Sequence, residues 1–175
     1  MTEVRTDEGY IRSMSSDDLE LVLAWRNHPE IRRYMLTQHD ISPEEHRRWY
    51  GRTSQDTSRR LLVFEYDDVP AGFVQFTKVS PGGIAEWGFY VSPDAPQGTG
   101  QKLGRAALNF GFKDVGLHKV CGQALDFNDM SIRFHHMLGF RQEGVLREQH
   151  VVGETYHDLI CFGLLQHEWS KADQG

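Results

Sequence analysis

Three glycines stand where the chain could hold an anion. Gly98, Gly100 and Gly104 follow the apolar run "EWGFYV", at the start of a segment whose apolar spacing predicts a helix. A glycine-rich turn that leads into a helix gathers exposed backbone N–H groups at the positive end of the helix dipole, and phosphate is a natural ligand of such a turn. Ordinary turn glycines before a helix explain the pattern about as well, so the surrounding residues decide between these interpretations.

Two better-known phosphate loops fit this stretch poorly. No Gly-Lys pair followed by Ser or Thr comes after the glycines, and Leu103 occupies the place of the third glycine in the dinucleotide-binding pattern. The strand before the turn also follows other strands directly, whereas the dinucleotide-binding pattern begins a strand–helix–strand unit. The glycines therefore predict either an anion site of another kind or a plain turn.

Metal binding and nucleophilic catalysis find little support in the residues. Nine histidines are present, but His135 and His136 are adjacent and point apart on a predicted helix, and the chain has no His-Glu-x-x-His motif or cysteine cluster. Cys121 and Cys161 lie far apart in apolar runs and have no evident partner base. We therefore predict no metal cofactor and no cysteine nucleophile.

Composition limits the class of protein. With 175 residues, of which 39% are hydrophobic, the chain is long enough for one buried core, and we predict a single domain over residues 1–175. The formal net charge of -6 offers no global basic field for nucleic acid, and no apolar run approaches the roughly 20 residues of a membrane span. The opening "MTEVRTDEGY" lacks the apolar core of a secretion signal, and the cysteine usage suits a reducing compartment, so we predict a cytoplasmic location.

Strand and helix patterns place these residues along the chain. Apolar spacing, capping residues and turn residues predict a strand, two helices, three consecutive antiparallel strands, a helix, a strand, a helix and a last strand. The segments are, in order, "YIRSM", "SSDDLELVLAWRNHP", "ISPEEHRRWY", "RLLVFEY", "AGFVQFTKV", "IAEWGFYV", "QKLGRAALNFGFKDVG", "HKVCGQALDF", "NDMSIRFHHMLGF" and "YHDLICFGLL". This order predicts a mixed α+β sheet in which the glycine turn joins a strand to a helix.

Two segments together resemble the general N-acetyltransferase (GNAT) superfamily. The stretch Gln-Gly-Thr-Gly at 97–100 is similar to the family's cofactor motif Q/R-x-x-G-x-G/A, from which the chain departs at Lys102. The segment "NDMSIRFHHMLGF" is similar to the family's N-x-x-A/S-x-x-x-Y-x-K-x-G-F and places His135 where the tyrosine usually stands. The positions that match this second motif are Asn128, Ser131, Gly139 and Phe140. The resemblance covers Phe73 to Phe140 and implies the GNAT acyl-CoA N-acyltransferase fold, a mixed central sheet of about seven strands flanked by about four helices.

The resemblance implies that acetyl-CoA is the co-substrate. Its diphosphate would lie on backbone amides from about Gly98 to Gly104, and its pantetheine arm would pair like an additional strand beside "FYVS". A side chain at Gly100 would keep the diphosphate away from the amides. For Asn128, capping of the next helix is the alternative to cofactor binding. The implied cofactor-binding residues are Phe89, Val91, Gln97, Gly98, Thr99, Gly100, Lys102, Leu103, Gly104, Asn128 and Ser131.

The same resemblance suggests how acetyl transfer would be catalysed. Attack on a thioester requires a neutral amine, and Glu86 is the candidate base, with burial beside Trp87 expected to increase its proton affinity. A backbone N–H near Phe89 or Tyr90 would bind the developing oxyanion, and His135 would protonate the departing thiolate. The alternatives are a surface glutamate with water as the base and a merely structural histidine.

The front half of the chain and its closing segment resemble a narrower group, the acetyltransferases of pseudaminic acid biosynthesis. The similar segments are "LAWRNHPEIRRYM", "ISPEEHRRWY" and "YHDLICFGLLQHEW". This resemblance implies a nucleotide-sugar acceptor, UDP-4-amino-4,6-dideoxy-N-acetyl-β-L-altrosamine, whose free amine is acetylated in a pathway to a flagellin glycan. Basic side chains would bind the diphosphate and aromatic rings the uracil. The predicted substrate-binding residues are Trp25, Arg26, Asn27, His46, Trp49, Phe76, Thr77 and Lys78.

Other interpretations of the front half stay open. A solvated helix face explains the arginines, and core packing explains the tryptophans, without any ligand. Acetylation of a protein N-terminus or of a polyamine is the alternative activity, although a polyamine requires an acidic cleft and the chain is arginine-rich between Arg26 and Arg60. A noncatalytic acyl-CoA-binding module is the alternative outside the enzymes, and a homodimer is left open.

Overall fold

Seven strands form one mixed sheet in the structure, a computed structural model that describes residues 8–172. The strands are β1 (Tyr10–Ser13), β2 (Arg60–Tyr66), β3 (Val69–Thr77), β4 (Ile84–Val91), β5 (Lys119–Leu125), β6 (Arg141–Val152) and β7 (Thr155–Leu165). Their order across the sheet is β1-β2-β3-β4-β5-β7-β6. All neighbouring strands are antiparallel except β4 and β5, which are parallel.

Helices cover both faces of this sheet. Over residues 8–172 they are α1 (Leu19–Asn27), α2 (Pro29–Arg32), α3 (Pro43–Thr53), α4 (Thr99–Asn109), α5 (Asp129–Met137) and α6 (Gln166–Ala172). A π-helical turn, Phe110–Val115, extends α4. The start of α3 follows the capping pattern of the sequence, because the Glu45 N–H donates to the Ser42 hydroxyl at 3.1 Å and Pro43 takes the first helical position.

The sheet separates two hydrophobic clusters. The larger one, which includes Trp87 and Leu103, packs under α4, α5 and α6 on what we call the α4 face. The smaller one, which includes Val22 and Tyr90, packs under α1 and α3 on what we call the α1 face. Because side chains alternate along a strand, Trp87 points to the α4 face whereas Glu86 and Tyr90 point to the α1 face.

β4 and β5 pair only at one end. Their parallel register ends at the pair Glu86–Cys121. β4 then continues to Val91 and β5 to Leu125 without pairing with each other. We call the gap that opens between them the β4–β5 wedge, with its vertex at Glu86 and Cys121. Backbone groups along a strand that has lost its neighbour require other partners, so an extended ligand can add to β4 there.

The predicted α+β architecture is confirmed, with six α-helices among residues 8–172 in place of about four. The sequence patterns miss β6, because this edge strand is largely exposed on both faces and its sequence "RQEGVLREQHVV" shows no apolar alternation. They also miss α6, which begins at Gln166 directly after β7 with no turn residue between the two elements. The short helix α2 is a single turn. His28 caps its start by accepting a hydrogen bond from the Glu30 N–H.

Two predictions reach beyond the described part of the chain. No helix within residues 8–172 is both long and apolar enough to cross a membrane. Most of "MTEVRTDEGY", on which the prediction of a cytoplasmic location partly rests, lies outside the described residues. The single domain over residues 1–175 includes the same residues and stays a prediction.

Candidate active site

The glycine turn opens α4 and leaves backbone amides exposed at its start. Gly98, the residue before the helix, has a φ of +90°, a left-handed conformation that residues with a Cβ rarely adopt. Apart from its chain neighbours, no atom lies within 4 Å of the position that a Cβ at Gly98 would occupy, so the space in front of the turn is open. The amides of Gly100 and Gln101 lie in the first turn of α4, where an N–H has no partner within the helix. These residues fit an anion such as the diphosphate of acetyl-CoA.

Thr99 stabilises the turn itself. Its backbone N–H and its hydroxyl both donate to the Pro96 carbonyl, at 3.2 Å and 2.6 Å, and the residue is buried. Since both donors are occupied, the predicted cofactor contact at Thr99 is corrected to a structural role. Gln97 is exposed beside the turn and Val91 ends β4 at the wide end of the wedge, so contacts of these two residues with the cofactor stay predictions.

The stretch of backbone amides free to bind an anion ends earlier than the sequence predicts. Leu103 is fully buried, and the amides of Leu103 and Gly104 lie beyond the first turn of α4, where carbonyls of the preceding turn accept them. A Cβ at Gly104 would lie 2.7 Å from the Phe134 ring and 2.8 Å from Leu138, so glycine at this position allows α4 to pack against α5. The cofactor contacts predicted for Leu103 and Gly104 are therefore corrected to roles in packing.

Three further residues predicted to bind the cofactor have partners within the protein. The ammonium of Lys102 lies 4.0 Å from the centre of the Tyr66 ring, a cation–π contact that holds it beside β2. The Asn128 side chain accepts a hydrogen bond from the Ser131 N–H at 3.2 Å and so caps α5, which is the structural alternative for this residue. Additional contacts of Lys102, Asn128 and Ser131 with the cofactor stay predictions.

Glu86 lies at the vertex of the wedge on the α1 face, and it is more exposed than expected. Its side chain is 51% exposed, and its Oε1 accepts a hydrogen bond from Lys78 Nζ at 2.8 Å. Trp87 does not cover it, because adjacent side chains on a strand point to opposite faces. The hydrogen bond to Glu86 raises the pKa of Lys78. The expected burial of Glu86 beside Trp87 is therefore corrected.

The end of β3 brings two predicted substrate-binding residues beside this carboxylate. Thr77 is the register partner of Glu86 in the antiparallel pair of β3 and β4. Lys78 follows with a φ of +60°, a left-handed conformation that costs a residue with a Cβ about 1–2 kcal/mol. The strained backbone therefore coincides with the residue whose ammonium contacts Glu86. The predicted substrate contacts of Thr77 and Lys78 stay predictions.

His135 is a core residue with both ring nitrogens occupied. It is 1% exposed and stacks on Phe162, with the ring centres 4.7 Å apart. Its Nε2 accepts a hydrogen bond from the Trp87 indole N–H at 3.1 Å, and its Nδ1 donates to the Ser131 carbonyl at 2.8 Å. This arrangement requires the neutral ring, and burial lowers the pKa of His135 to about 4. Because a neutral, enclosed imidazole is a poor acid at neutral pH, the acid role predicted for His135 is corrected to a structural one.

The buried His135 should make the protein less stable in mild acid. Below a pH of about 6.5, the usual pKa of an unfolded histidine, the unfolded chain binds a proton that the folded ring does not accept until about 4. The free energy of unfolding should therefore fall by roughly 2–3 kcal/mol between about pH 7 and about pH 4.5 through this residue. Denaturant titrations of the wild type and of His135→Gln, whose amide does not titrate, measure this contribution. Identical pH dependence in the two proteins would contradict the assignment.

Tyr90 places its side chain, as well as its backbone, at the site. Its ring contacts Phe73 with the centres 5.1 Å apart, and burial raises the pKa of its hydroxyl while the charge of Arg26 lowers it. Tyr90 is therefore neutral and lies on the same face of β4 as Glu86. The oxyanion site at a backbone N–H near Phe89 or Tyr90 stays a prediction, on the stretch of β4 that has no partner in β5.

Gln75 is a candidate active-site residue that the sequence patterns do not indicate. It is the register partner of Gly88 on β4 and lies on the α1 face. Its side-chain oxygen is buried and has no hydrogen-bond partner among residues 8–172. A single glutamine within an apolar strand forms no motif, so only the register of β3 against β4 identifies it.

Two aromatic residues predicted to bind the acceptor belong to the core. Phe76 is fully buried on the α4 face, where it packs against Trp87 and Phe110. Trp25 is buried in the cluster of the α1 face. Core packing, the alternative given for Trp25, is what the structure shows for both residues, and the predicted ligand contacts of Trp25 and Phe76 are corrected.

Arg26 and Asn27 hold the segment 33–42 against the end of α1. The Asn27 amide donates to the Ile41 carbonyl and accepts from the Ile41 N–H, both at 2.8 Å, so the substrate contact predicted for Asn27 is corrected. Arg26 is 8% exposed and donates through Nη2 to the Thr37 carbonyl at 2.6 Å, while its Nη1 has no hydrogen-bond partner within the described range. Burial lowers the pKa of Arg26. This guanidinium therefore retains an unused donor.

His46 and Trp49 stack on each other along α3, with ring centres 5.2 Å apart. His46 is buried, its Nε2 has no partner among the residues that the structure describes, and burial lowers its pKa. His46 lines a groove between α1 and α3, and Trp49 contacts Phe73 edge to face. The substrate contacts predicted for His46 and Trp49 stay predictions.

The thiols and metal-binding side chains are dispersed. Cys121 and Cys161 are free, and burial raises the pKa of Cys121. Between residues 8 and 172, no group of three or more His, Cys, Asp or Glu side chains is arranged to hold a metal ion. The features that the structure brings together at the candidate site are the exposed amides, the wedge and the carboxylate at its vertex.

Sequence comparisons relate these features to known acetyltransferases. Residues 10–141 match the family described as "Acetyltransferase (GNAT) domain". Acetyltransferase PseH of Campylobacter jejuni is 31% identical over 122 residues, which are 70% of this chain and 76% of that protein. Spermidine N(1)-acetyltransferase of Escherichia coli is 25% identical over 161 residues, which are 91% of this chain and 87% of that protein.

A solved structure supports the same fold. The spermidine N-acetyltransferase of Vibrio cholerae, in complex with CoA and spermine, matches this chain with a TM-score of 0.86 at 22% identity, over 94% of this chain and 99% of that chain. The family match covers most of the residues, and it includes both the glycine turn and the wedge. The chain therefore belongs to the GNAT family and is an acetyl-CoA-dependent N-acetyltransferase.

Proposed function

We propose that the acceptor is a nucleotide sugar of the type UDP-4-amino-4,6-dideoxy-N-acetyl-β-L-altrosamine, acetylated on its free 4-amino group. The observation that carries this proposal is Arg26, a buried guanidinium with an unused Nη1 donor on the α1 face. Arginine presents paired N–H donors that match phosphate oxygens, so a buried arginine of this kind suits an anionic acceptor. The activity would belong to pseudaminic acid biosynthesis and flagellin glycosylation.

Carboxylates near Arg26 already have side-chain partners within the chain. Asp40 lies 3.2 Å from Arg32, and Glu45 lies 3.0 Å from His39. A polyamine would have to displace these internal partners in order to bind the carboxylates, whereas an anionic acceptor would leave them in place. The charge arrangement therefore supports a nucleotide sugar over a polycation.

A polyamine is the second candidate acceptor, and the similarity to spermidine acetyltransferases favours it. That similarity extends over a larger share of this chain than the similarity to PseH does. The exposed carboxylate of Glu86 supplies one anionic group for an amine that enters the wedge. The two candidates differ in charge, so the residues around Arg26 distinguish them.

The reaction that we infer is direct attack of the amine on the thioester carbonyl. The new C–N bond forms as the C–S bond breaks, and Glu86, or a water beside it, accepts the proton that the amine loses. Lys78 must share or release Glu86 during this step, because its ammonium contacts the same carboxylate. N–H groups of β4 near Phe89 and Tyr90 would stabilise the oxygen that gains negative charge. The thiolate, whose pKa as a free thiol is about 8.5, requires no acid from the chain and takes its proton from water.

The experiment that tests the proposal is an acceptor panel. The protein is incubated with acetyl-CoA and UDP-4-amino sugars, spermidine or an N-terminal peptide, and products are detected by mass. We expect acetylation of the UDP-amino sugar with a kcat/KM at least about 100-fold above that of spermidine, a difference of roughly 3 kcal/mol. Preference for spermidine or for the peptide would overturn the proposed acceptor, and turnover of no amine would favour a noncatalytic acyl-CoA-binding module.

Replacing Arg26 should affect the acceptor selectively. Because a hydrogen bond to a charged group contributes about 1.5–3 kcal/mol, Arg26→Gln should raise KM for the UDP-amino sugar roughly 10- to 100-fold and change KM for acetyl-CoA by less than about twofold. Asn27→Ala is the matched control, since it loosens the same segment 33–42 without removing a charge. Steady-state kinetics with each substrate varied measure both values. Equal effects on the two substrates would assign Arg26 to structure.

A cytoplasmic location is part of this proposal. Cys121 and Cys161 are both free thiols, which suits a reducing compartment. The inferred co-substrate, acetyl-CoA, and a UDP-linked acceptor are soluble small molecules, and the reaction involves no lipid-linked group.

A further inference from the structure

Two side chains fill the vertex of the β4–β5 wedge from the α4 face. Trp87 is the first residue of β4 beyond the last paired position, and Gly122 is the first residue of β5 beyond its partner Cys121. A Cβ on Gly122 would clash with His135 Nε2 and would lie 2.8 Å from the indole nitrogen of Trp87. The indole and the imidazole therefore press against bare backbone of β5. We call Trp87, His135 and Gly122 the vertex plug.

The plug is held in place on several sides. Trp87 is 7% exposed and His135 1% exposed. The indole N–H donates to His135 Nε2, and the Ser131 carbonyl binds the opposite nitrogen of the imidazole. The indole also stacks on the Phe140 ring, with the centres 5.2 Å apart. Rotation of Trp87 would break the hydrogen bond and the stacking together, so the plug presents a fixed wall to the wedge.

The acyl end of a bound CoA thioester must approach this wall. The glycine turn follows Val91 at the wide end of the wedge, and the vertex at Glu86 lies about 17 Å away along β4 at the usual strand spacing. In a CoA thioester the diphosphate and the acyl group lie at opposite ends of the pantetheine arm. With the diphosphate on the amides of Gly100 and Gln101, an arm that runs along β4 carries the acyl group towards the plug.

We propose that the vertex plug restricts the donor to acetyl-CoA by excluding longer acyl chains. An additional methylene, as in a propionyl or butyryl group, would have to displace the Trp87 ring. Displacement would leave His135 Nε2 buried without a donor, and an unpaired buried polar atom is strongly unfavourable. Packed interiors respond to a change of even one methylene, so the exclusion should increase with chain length. His135 is in this view a positioning residue that acts through Trp87.

The test compares the binding of acetyl-, propionyl- and butyryl-CoA to the intact chain by isothermal titration calorimetry, which requires no knowledge of the acceptor. The wild type should bind butyryl-CoA at least about tenfold more weakly than acetyl-CoA, a difference of roughly 1.4 kcal/mol, with propionyl-CoA between them. Trp87→Phe makes the ring smaller and removes its N–H. In this variant the Kd for butyryl-CoA should exceed the Kd for acetyl-CoA by about threefold or less.

The chain offers a matched control for this variant. Trp169 is also a buried tryptophan, and its indole donates to Asn109 at 2.9 Å, at the opposite end of α4 from the glycine turn. Trp169→Phe makes the same chemical change outside the wedge and should keep the wild-type ratio. A narrowed ratio in Trp169→Phe, or the wild-type ratio in a folded Trp87→Phe, would overturn the proposal.

The positioning role of His135 has its own test. His135→Ala removes the imidazole and should reduce the preference for acetyl-CoA over butyryl-CoA. His135→Gln retains an acceptor for the indole N–H and should keep most of the wild-type preference. An unchanged ratio in folded His135→Ala would contradict the role. The affinities of the wild type for the three acyl-CoA molecules test the proposal even where a variant fails to fold. Equal affinities for acetyl- and butyryl-CoA would show that the vertex plug does not exclude longer acyl chains.

Discussion

Replacing Gly100 with Asp should remove most acetyl-CoA binding and leave the protein folded. The carboxylate would lie in the first turn of α4, against the diphosphate, and like charges about 4 Å apart near a protein surface repel by roughly 4 kcal/mol. We therefore expect the Kd to rise roughly 100- to 1000-fold. The fold should survive because a Cβ at Gly100 would lie 3.7 Å from Val91 and 3.9 Å from Phe134, which are ordinary contacts. Calorimetric titration and thermal denaturation measure the two properties.

Gly100→Asn separates charge from shape in this experiment. The amide has nearly the same size as the carboxylate and no charge, so it should weaken binding about tenfold or less. Gly104→Ala should show the opposite pattern, because its methyl group would enter the contact between α4 and α5 and lower the melting temperature. Equal affinities of the Asp and Asn variants would show that the diphosphate does not lie on this turn.

The elements with local signals could be predicted from the sequence. Ser42 and Pro43 predict the start of α3, and the turn residues between β2, β3 and β4 predict a meander of antiparallel strands. β6 carries no such signal, because within residues 8–172 it is an edge strand that pairs with β7 alone, and its faces are mostly solvated. Its position depends on the pairing with β7, which is a tertiary contact.

The candidate site was predictable to a similar degree. The glycine turn at Gly98 and Gly100 is a local feature, and its left-handed start follows from glycine alone. The wedge is not local, since it depends on where two parallel strands stop pairing, at Glu86 and Cys121. No residue type marks that point. Gln75, whose side-chain oxygen has no hydrogen-bond partner within residues 8–172, becomes a candidate site residue only through its register.

His135 shows why matching a motif position does not assign a role. The motif places this residue where a tyrosine acid usually stands, but the donor that binds its Nε2, the Trp87 indole, is 48 residues away in the chain. Burial and two hydrogen bonds keep the imidazole neutral. For Glu86, alternation along β4 left a buried and a surface carboxylate both open, and the structure shows a side chain that is 51% exposed.

The largest expected effect on rate is that of Glu86→Gln. The amide keeps the shape of the side chain but cannot accept a proton from the incoming ammonium, so kcat/KM near neutral pH should fall roughly 10²- to 10⁴-fold, the range typical of a lost general base. The deficit should shrink as the pH rises towards the pKa of the acceptor amine, because the substrate then arrives neutral. Profiles of kcat/KM against pH for both proteins measure this recovery.

Lys78 provides the control that separates proton transfer from loss of the ion pair. Lys78→Gln removes the ammonium 2.8 Å from the carboxylate and leaves Glu86 in place, so it should retain most of the activity if Glu86 is the base. Glu86→Gln could be inactive only because it leaves the Lys78 ammonium unpaired beside the substrate. In that case the double variant, Glu86→Gln with Lys78→Gln, would recover activity. A loss that persists in the double variant and diminishes at alkaline pH therefore assigns the proton to Glu86, whereas full activity of Glu86→Gln at neutral pH assigns it to water held by the backbone of β4.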